Sequence, residues 1–245
     1  MLRLYKLYYN EKPIPDFVII TKIEEPLIGD ITNTVISSNY GSKYKKTEFG
    51  TKIVKVYCTV KKGFKMLMDI NKITELNEWL KGDNWKATKL VLPGRDYYYE
   101  AIVNNAPDLE PNNYTASFEI EFLILNPDKI NLIEYESNNM NINYMGTSEE
   151  VYPTIILKIT NACSELKLSV SNRKYNNYIR LKHNFLTNDE VIINMKTKKV
   201  TVNNIVKMQI LTLDSRFHKL TKGENIYTLN NGNANVKIKY RNRYI

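Results

Sequence analysis

Residues 217–240, FHKLTKGENIYTLNNGNANVKIKY, decide the fold that we predict for this chain. They contain two short segments in which apolar and polar residues alternate, residues 226–229 and 236–240, joined by NNGN at 230–233. Asn and Gly tolerate the positive φ angles that tight hairpin turns need. Alternation gives each segment one apolar face, which another sheet has to cover. We therefore predict that the chain closes with a β-hairpin that forms one side of a β-sandwich.

A tight turn, KGEN at residues 222–225, precedes these two segments. Gly223 is the residue that can adopt positive φ there without a Cβ clash, and Asn225 can hydrogen-bond to nearby backbone. Glu224 lies between them. We expect Phe217 and Leu220 to be buried on either side of this corner. These five residues are predicted to have a structural role in the second half of the chain.

The charge of the chain is unevenly placed. The formal net charge is +9, but residues 1–130 carry eighteen Lys and Arg against seventeen Asp and Glu, whereas residues 131–245 carry seventeen against nine. A basic surplus favours acidic partners, such as nucleic acid, teichoic-type polymers or an acidic neighbouring subunit. The alternative is a solvated surface in a chain rich in Lys and Asn, with no specific partner.

Two cysteines, Cys58 and Cys163, lie far apart in the sequence, so we interpret them as small buried hydrophobic residues without a disulfide. The chain opens with alternating residues, unlike the apolar block of a signal peptide. Its apolar runs, such as residues 122–125, are too short to cross a bilayer. These features predict a soluble protein made in a reducing cytosol.

The first sixty residues are predicted to be mostly strands, because β-branched residues dominate segments such as residues 53–57 (IVKVY). The segment from Gly29 to Gly50 is polar and weakly patterned, which favours a long loop or arm. One helix is predicted over residues 69–81. Asp69 is a suitable N-cap, apolar residues recur at helical spacing, and Gly82 follows as the stop.

A pair of strands is predicted after the helix. Residues 85–92 lead into Pro93-Gly94, which is typical of a type II turn, and residues 97–103 return. Residues 114–125 are predicted to form a long strand that ends before Pro127.

The composition then divides the chain into two parts. It turns polar around Gly146-Thr147, and short strand-like segments separated by Asn, Ser, Gly and Lys follow at regular intervals. We predict a mainly β, two-domain protein: an N-terminal β domain over residues 1–137, a linker over 138–149 and a C-terminal β-sandwich over 150–245.

No catalytic or metal-binding motif is apparent. The two histidines, His183 and His218, have no further ligands at metal spacing, and there is no CxxC pair, phosphate-binding glycine loop or nucleophile elbow. Glu119 and Glu121 could share one face of a strand, as the carboxylates of a glycosidase do. Alternation alone also produces such pairs. We therefore predict no catalytic residue, no metal and no cofactor.

The order of these features resembles the distal tail protein (Dit) family of long-tailed phages that infect Gram-positive bacteria, and of related tail-like particles. The resemblance spans residues 3–244 and is carried by three pieces. These are the helix ending at Trp79-Leu80 with LPGRDYYYEA at 92–101, the strand that stops at Asn126-Pro127, and LTKGEN at 220–225. The segment from Gly29 to Gly50 matches least.

The resemblance implies a structural protein without catalytic residues. Family members form six-fold rings at the tail tip, built around a channel by an N-terminal β-sandwich with one helix and a β-hairpin. A galectin-like β-sandwich follows as the C-terminal domain. The implied location is the virion tail tip, after synthesis in the cytoplasm of the bacterial host.

The resemblance also implies a set of partners. These are further copies of the chain in a homohexameric ring, the tail tube protein, the tail-associated hub protein and receptor-binding proteins. DNA would pass through the channel without specific binding, and no membrane insertion is implied. The nearly neutral N-terminal half agrees with such a conduit, because a strongly basic channel would retain DNA through its phosphates.

Two other functions remain open from the residues alone. The protein could be a carbohydrate-binding tail or surface protein, with the C-terminal sandwich as a lectin, since tyrosines such as those at 97–99 can stack on sugars or bases. Cross-strand packing is the simpler interpretation of these rings. Trp79 and Trp85 both lie outside the predicted sandwich, which therefore lacks the usual aromatic platform. A hydrolase would have to use Glu119 or Glu121.

Overall fold

The computed structural model describes residues 6–60, 69–106, 117–149, 151–230 and 233–245. The chain divides into two compact units, one of residues 1–129 together with Ile245 and the other of residues 130–244. We call them the N-terminal and the C-terminal domain. Strands dominate both, and the described residues contain one α-helix, so the predicted mainly β, two-domain fold class is confirmed.

The described part of the N-terminal domain consists of nine strands and the helix. They are β1 (Tyr8–Tyr9), β2 (Lys12–Pro13), β3 (Val18–Glu24), β4 (Ile31–Ser38), β5 (Gly41–Phe49), β6 (Lys52–Val60), α1 (Ile70–Lys81), β7 (Thr88–Val91), β8 (Tyr97–Asn105) and β9 (Ser117–Ile124).

Seven of these strands form one antiparallel path in the order β2-β1-β7-β8-β9-β6-β3. Strand β6 shows why the sequence folds in this way, because every second residue from position 52 to position 60 is buried. Helix α1 begins after Asp69, whose carboxylate accepts a hydrogen bond from the Lys72 backbone N–H at 2.9 Å, and it ends at Gly82. Its Trp79 packs against Tyr9 and Phe122 in the core, with ring centroids 5.8 and 6.3 Å away.

The segment from Gly29 to Gly50 is a β-hairpin and not the long loop that its polar composition favoured. Strands β4 and β5 pair over their whole length and form a sheet of their own. The weak sequence pattern has a physical reason. Both faces of this hairpin are exposed, so burial imposes no simple alternation on either strand.

The described part of the C-terminal domain contains eleven strands that follow β10 (Lys129–Asn131), which lies at the boundary and pairs with β21. They are β11 (Tyr135–Ser137), β12 (Asn141–Tyr144), β13 (Thr154–Ile159), β14 (Cys163–Asn172), β15 (Asn176–Phe185), β16 (Glu190–Asn194), β17 (Lys199–Val202), β18 (Ile205–Val206), β19 (Gly223–Asn230), β20 (Ala234–Tyr240) and β21 (Arg243–Tyr244). A 3-10 helix, Met208–Ile210, follows β18.

Two antiparallel sheets of this domain enclose one apolar core. One sheet has the order β11-β20-β13-β16-β17-β18 and the other the order β12-β19-β14-β15. Alternate residues of both sheets belong to a single buried cluster, with Ile155 and Leu157 from the first and Leu166 and Leu168 from the second. This arrangement is a β-sandwich.

The prediction of a closing hairpin is wrong, because β19 and β20 lie in different sheets of the sandwich. Strand β19 pairs with β12 and β14, whereas β20 pairs with β11 and β13. Two consecutive strands that face each other across a core alternate in the same way as two strands that pair in one sheet. The pattern therefore predicted both strands and could not tell these arrangements apart. Asn231 and Gly232 of the expected turn lie outside the described residues.

The expected linker over residues 138–149 differs from the structure, where the two units divide between Lys129 and Ile130. Strand β12 lies within the expected linker and pairs with β19 over four residues. Gly146 packs against the Tyr144 hydroxyl and the Arg243 carbonyl, and the backbone N–H of Thr147 donates to that carbonyl at 2.9 Å. Residues 138–149 have the polar composition of a linker because β12 is an edge strand whose outward-facing residues are polar.

Two further boundaries differ. Strand β7 begins at Thr88 and not at Trp85, because Asn84 and Trp85 have positive φ angles of 53° and 65° in the turn after the helix. Residues 114–116 of the expected long strand lie outside the described residues, and β9 begins at Ser117. Among the described helical residues, there is no stretch that is both long and apolar enough to cross a membrane.

Candidate functional site

The side chains that sequence reasoning considered for chemistry are dispersed. In the described ranges, no three His, Cys, Asp or Glu residues come together as a possible metal site. Cys58 is buried and Cys163 is partly buried, and both are free thiols. Burial raises the pKa of the Cys58 thiol to about 12, so this thiol stays protonated at neutral pH.

Glu119 and Glu121 lie on the same face of β9, as alternation predicted, and both bind one lysine. Lys55 on the neighbouring strand β6 is 2.8 Å from the Glu119 carboxylate and 2.7 Å from that of Glu121. Hydrogen bonds from Lys55 and from the Asn104 amide hold the pKa of Glu121 below its usual range. A glycosidase acid would need the opposite shift. The pair is therefore a cross-strand ion pair on a partly exposed face.

The most unusual polar cluster of the N-terminal domain surrounds Glu25, which follows β3. The Glu25 carboxylate accepts hydrogen bonds from the hydroxyls of Tyr97, at 2.8 Å, and Tyr99, at 2.5 Å, and Arg95 lies 3.3 Å away. The ammonium group of Lys52, at the start of β6, donates to the Tyr99 hydroxyl at 2.8 Å and to the Pro26 carbonyl at 3.2 Å. We call these five side chains, of residues 25, 52, 95, 97 and 99, the Glu25 network.

Burial shapes the electrostatics of this network. It lowers the pKa of Lys52 to about 8, although the charge of Glu25 opposes the shift. Burial alone would raise the pKa of Glu25. The hydrogen bonds from Tyr99 and Tyr97, together with the charges of Lys52 and Arg95, outweigh burial and lower that pKa. The Glu25 carboxylate is therefore ionised at neutral pH, and it accepts hydrogen bonds from three residues, Tyr97, Tyr99 and Arg95.

The network fixes the base of the β4–β5 hairpin, since Glu25 and Lys52 flank that hairpin in the sequence. The predicted turn at Pro93-Gly94 contributes to it: Gly94 has φ 73°, and the Arg95 backbone N–H bonds to the Leu92 carbonyl at 3.2 Å. This turn directs Arg95 toward Glu25. The sequence signal that we missed is Lys52, which occupies a position of the buried alternation in β6 where an apolar residue is expected.

The corner predicted at residues 217–225 lies in the C-terminal domain, at the start of β19. Gly223 has φ 92°, Leu220 is fully buried, and Phe217 is partly buried against the same core. The buried Asn225 amide accepts a hydrogen bond from the Thr221 backbone N–H at 3.0 Å and donates to the carbonyls of Thr221 and Gly223 at 2.8 and 3.0 Å.

Unlike Asn225, the neighbouring Glu224 lines a shallow surface pocket, together with Asn143 and Arg173. The corner is therefore held by the amide of Asn225, while Gly223 supplies the backbone angle. Sequence reasoning missed His218, which is buried within this corner. Its Nε2 lies 3.0 Å from the Tyr227 hydroxyl, and its Nδ1 is buried without a hydrogen-bond partner.

Several of the exposed apolar side chains of the described N-terminal residues belong to the β4–β5 hairpin. Residues of both strands and of the turn contribute large side chains that are about half exposed or more: Ile31, Val35, Ile36, Tyr40, Tyr44 and Phe49. Exposed apolar patches of this kind mark interaction sites. The candidate functional site is therefore this hairpin together with the Glu25 network at its base.

Comparisons with known proteins found one matching family model and several solved structures with a similar fold. Residues 146–244 match the family described as siphovirus-type tail component, C-terminal domain. The SPP1 Dit protein, described as a paradigm of the hub adsorption apparatus in phages that infect Gram-positive bacteria, has a similar structure. The TM-score is 0.77 at 13% identity, and the match covers 99% of this chain and 100% of that chain.

Two structures of the phage P2 baseplate in its activated conformation are also similar. The one with Ca has a TM-score of 0.58 at 10% identity and covers 99% of this chain and 98% of that chain. The one with Sr has a TM-score of 0.56 at 12% identity and covers 97% of both chains. No curated protein sequence matches this chain. At such identities the solved structures share the fold, and the family match concerns the C-terminal domain.

Proposed function

We propose that this chain is a distal tail (Dit) protein, a structural protein of a phage tail tip, because its C-terminal domain matches a siphovirus tail-component family and its fold matches that of the SPP1 Dit protein. In this role it joins the tail tube to the hub and to the host-adsorption apparatus. The observation that carries the proposal is the similarity to the SPP1 Dit protein over 99% of the chain, which includes both domains. A shared C-terminal sandwich alone would leave the N-terminal domain unexplained.

The proposed assembly is a ring of six copies around a channel for DNA. The charge of residues 1–130 supports such a channel, because eighteen basic and seventeen acidic side chains leave no strong attraction for phosphates. The basic surplus of residues 131–245 is then available for acidic partners, such as a receptor-binding protein.

The proposed role requires no catalysis. The carboxylate pair that comes nearest to a hydrolytic site, Glu119 and Glu121, is bound by Lys55, and hydrogen bonding to Lys55 and Asn104 lowers the pKa of Glu121, whereas a glycosidase acid needs a raised pKa. We expect the purified protein not to hydrolyse cell walls, and Glu119→Gln to leave tail assembly unchanged. Release of muropeptides by the wild-type protein, lost in Glu119→Gln, would contradict this part of the proposal.

The experiment that tests the proposal locates and counts the chain in isolated particles. A short peptide tag at the C terminus should appear by cryo-electron microscopy at the tail tip, around a central channel. Quantitative mass spectrometry, with the tail tube protein as the reference, should give six copies per tail. Particles made without this chain should have tubes that lack a tip. A tag located on the capsid, or a copy number other than six per tail, would refute the proposed role.

A further inference from the structure

The two sheets of the C-terminal domain have outer faces of different chemistry. The outward side chains of the β11-β20-β13-β16-β17-β18 sheet include Lys158, Lys199, Lys237, Lys239 and Glu190. The outer face of the β12-β19-β14-β15 sheet instead has a stretch without any charge, in a chain of which 25% of the residues are charged. We call this stretch the neutral face, and it consists of Asn141, Asn143, Ser169, Ser171, Ile226 and Thr228.

The strand register places the side chains of the neutral face next to one another. Ser171 lies directly opposite Ile226, which in turn lies opposite Asn141. Ser169 lies opposite Thr228. The residues that alternate with them along the three strands are directed into the core. The result is a continuous surface of short polar groups with one apolar side chain among them.

The Glu224 pocket lies at one end of the neutral face. Its volume is about 490 Å³, which is within the usual range for small-ligand sites. Its lining combines residues 143, 171 and 226 of the neutral face with Asn172, Arg173, Gly223 and Glu224. An added Cβ at Gly223 would have only the Arg173 Cζ within reach, at 4.0 Å, so the space beside this glycine is open.

The backbone around the Glu224 pocket is held in place by one amide. The side-chain oxygen of Asn172 accepts hydrogen bonds from the backbone N–H groups of Lys174 and Tyr175, at 3.0 and 3.1 Å. Its Nδ2 donates to Oδ1 of the fully buried Asn225 at 3.1 Å. These bonds connect the turn before β15 to the start of β19. The pocket is therefore formed before a ligand arrives, which reduces the cost of binding.

The polar side chains of this pocket have unused hydrogen-bonding capacity. Within the described residues, no hydrogen bond or ion pair engages the side chains of Asn143, Arg173 or Glu224. An amide both donates and accepts, a guanidinium donates parallel pairs of bonds, and a carboxylate accepts them. Such a set matches adjacent hydroxyl groups, each of which donates and accepts. The opposite charges of Arg173 and Glu224 also balance, so the pocket does not select for a charged ligand.

We propose that the Glu224 pocket and the neutral face bind a neutral saccharide. One sugar ring occupies the pocket, where its hydroxyl groups bond to Asn143, Arg173 and Glu224, and the adjoining ring lies on the neutral face. Ile226, which is 43% exposed, covers the C–H side of the ring. This contact replaces the tryptophan platform that the domain lacks. A polyanion would instead favour the outer face of the other sheet, with its lysines.

Binding is measured with the full chain. The probes are neutral mono- to tetrasaccharides of glucose, galactose and their N-acetylated amines, with sialylated oligosaccharides and a polyol phosphate as the charged comparison. Isothermal titration calorimetry should give a Kd tighter than about 1 mM for at least one neutral tetrasaccharide. Binding of only the charged probes, or of none, would overturn the proposal.

Matched variants locate the site. Asn143→Ala and Glu224→Ala each remove one hydrogen-bonding group and should weaken binding roughly 3- to 10-fold. Glu224→Gln keeps an acceptor oxygen and should stay within about twofold of the wild type. Asn235→Ala changes an exposed amide on the outer face of the other sheet and should have no effect.

A larger side chain tests the pocket itself. Ser171 is exposed and lines the pocket, so Ser171→Phe should fill it and weaken binding at least about 30-fold. Asn235→Phe adds a ring of the same size on the outer face of the other sheet and should leave binding unchanged. Hydrogen exchange of the β14 and β19 amides checks that every variant remains folded.

The outcomes separate this proposal from the proposed function. Equal binding by the wild type and Ser171→Phe would mean that the saccharide binds elsewhere, and the site would be refuted. If six copies are found at the tail tip but no neutral saccharide binds, the saccharide site is refuted and the structural role stands. If the saccharide binds as expected but the chain is absent from the tail tip, the structural role is refuted and the site stands.

Discussion

Lowering the pH from 7 to 5 should destabilise the C-terminal domain through one buried histidine. His218 is 3% exposed, and burial lowers its pKa from about 6.5 to about 4. In the unfolded chain the ring takes up a proton near pH 6.5, whereas in the folded domain it stays neutral down to about pH 4. The unfolded state binds more protons between these values, so stability falls as the pH falls through this window.

The size of the effect follows from the two pKa values. The full difference corresponds to roughly 3 kcal/mol below pH 4, and roughly 2 kcal/mol of it is lost between pH 7 and pH 5. The carboxylates with lowered pKa values, such as Asp214 at about 2, respond mostly below this range. The comparison of pH 7 with pH 5 therefore isolates the histidine better than a full acid titration does.

Hydrogen exchange followed by mass spectrometry measures this effect in the full chain. The slowest amides of β14 and β19 report the free energy of unfolding of the C-terminal domain. Both tryptophans lie in the N-terminal domain, so their fluorescence reports on that domain separately.

His218→Gln is the informative variant, because its amide can hydrogen-bond to the Tyr227 hydroxyl but does not titrate. Between pH 7 and pH 5 the wild-type domain should lose roughly 2 kcal/mol more than the variant. Equal losses in the two proteins would refute the reasoning, since the titration of His218 would then not be linked to folding.

Three substitutions test other parts of the structure by denaturant unfolding. Gly146→Ala should destabilise the C-terminal domain by roughly 1–3 kcal/mol, because the added Cβ would overlap the Tyr144 hydroxyl and the Arg243 carbonyl; a flexible linker would tolerate it. Gly223→Val should cost about 1–3 kcal/mol from its φ of 92° alone, since the space beside it is open, and a neutral result would contradict the strained corner. Lys52→Met should cost the N-terminal domain roughly 1–3 kcal/mol, and unchanged tryptophan-monitored unfolding would show that the Glu25 network does not stabilise the hairpin base.

Local patterns in the sequence were sufficient for the elements themselves. Helix α1 carries its own N-cap, apolar spacing and terminal glycine, so nearly all of the information lies within fourteen residues. Strands with one buried face, such as β6 and β9, are also predictable from local sequence. Every second side chain in them is buried, so apolar and polar residues alternate along the strand. The absence of catalytic motifs and the order of the elements were sufficient for the resemblance to tail proteins.

The candidate site depended on contacts between distant segments. Glu25, Lys52 and Tyr99 are separated by up to 74 residues, and no local pattern indicates that they meet. The β4–β5 hairpin differs from the sequence prediction for a related reason, since a strand pair that is exposed on both faces has no core to impose a clear alternation.

The sequence by itself therefore determined which segments are strands, where the helix lies and which corner needs glycine at position 223, because these depend on neighbouring residues. Only the tertiary structure decided how the strands are paired. The sequence of strands β19 and β20 predicts one hairpin, yet the two strands lie in opposite sheets. Both arrangements bury the same apolar faces, so the local sequence does not distinguish them. Packing against distant strands selects the arrangement that forms. The same long-range pairing placed residues 138–149 inside the C-terminal domain, where Gly146 fits against Tyr144 with no room for a side chain.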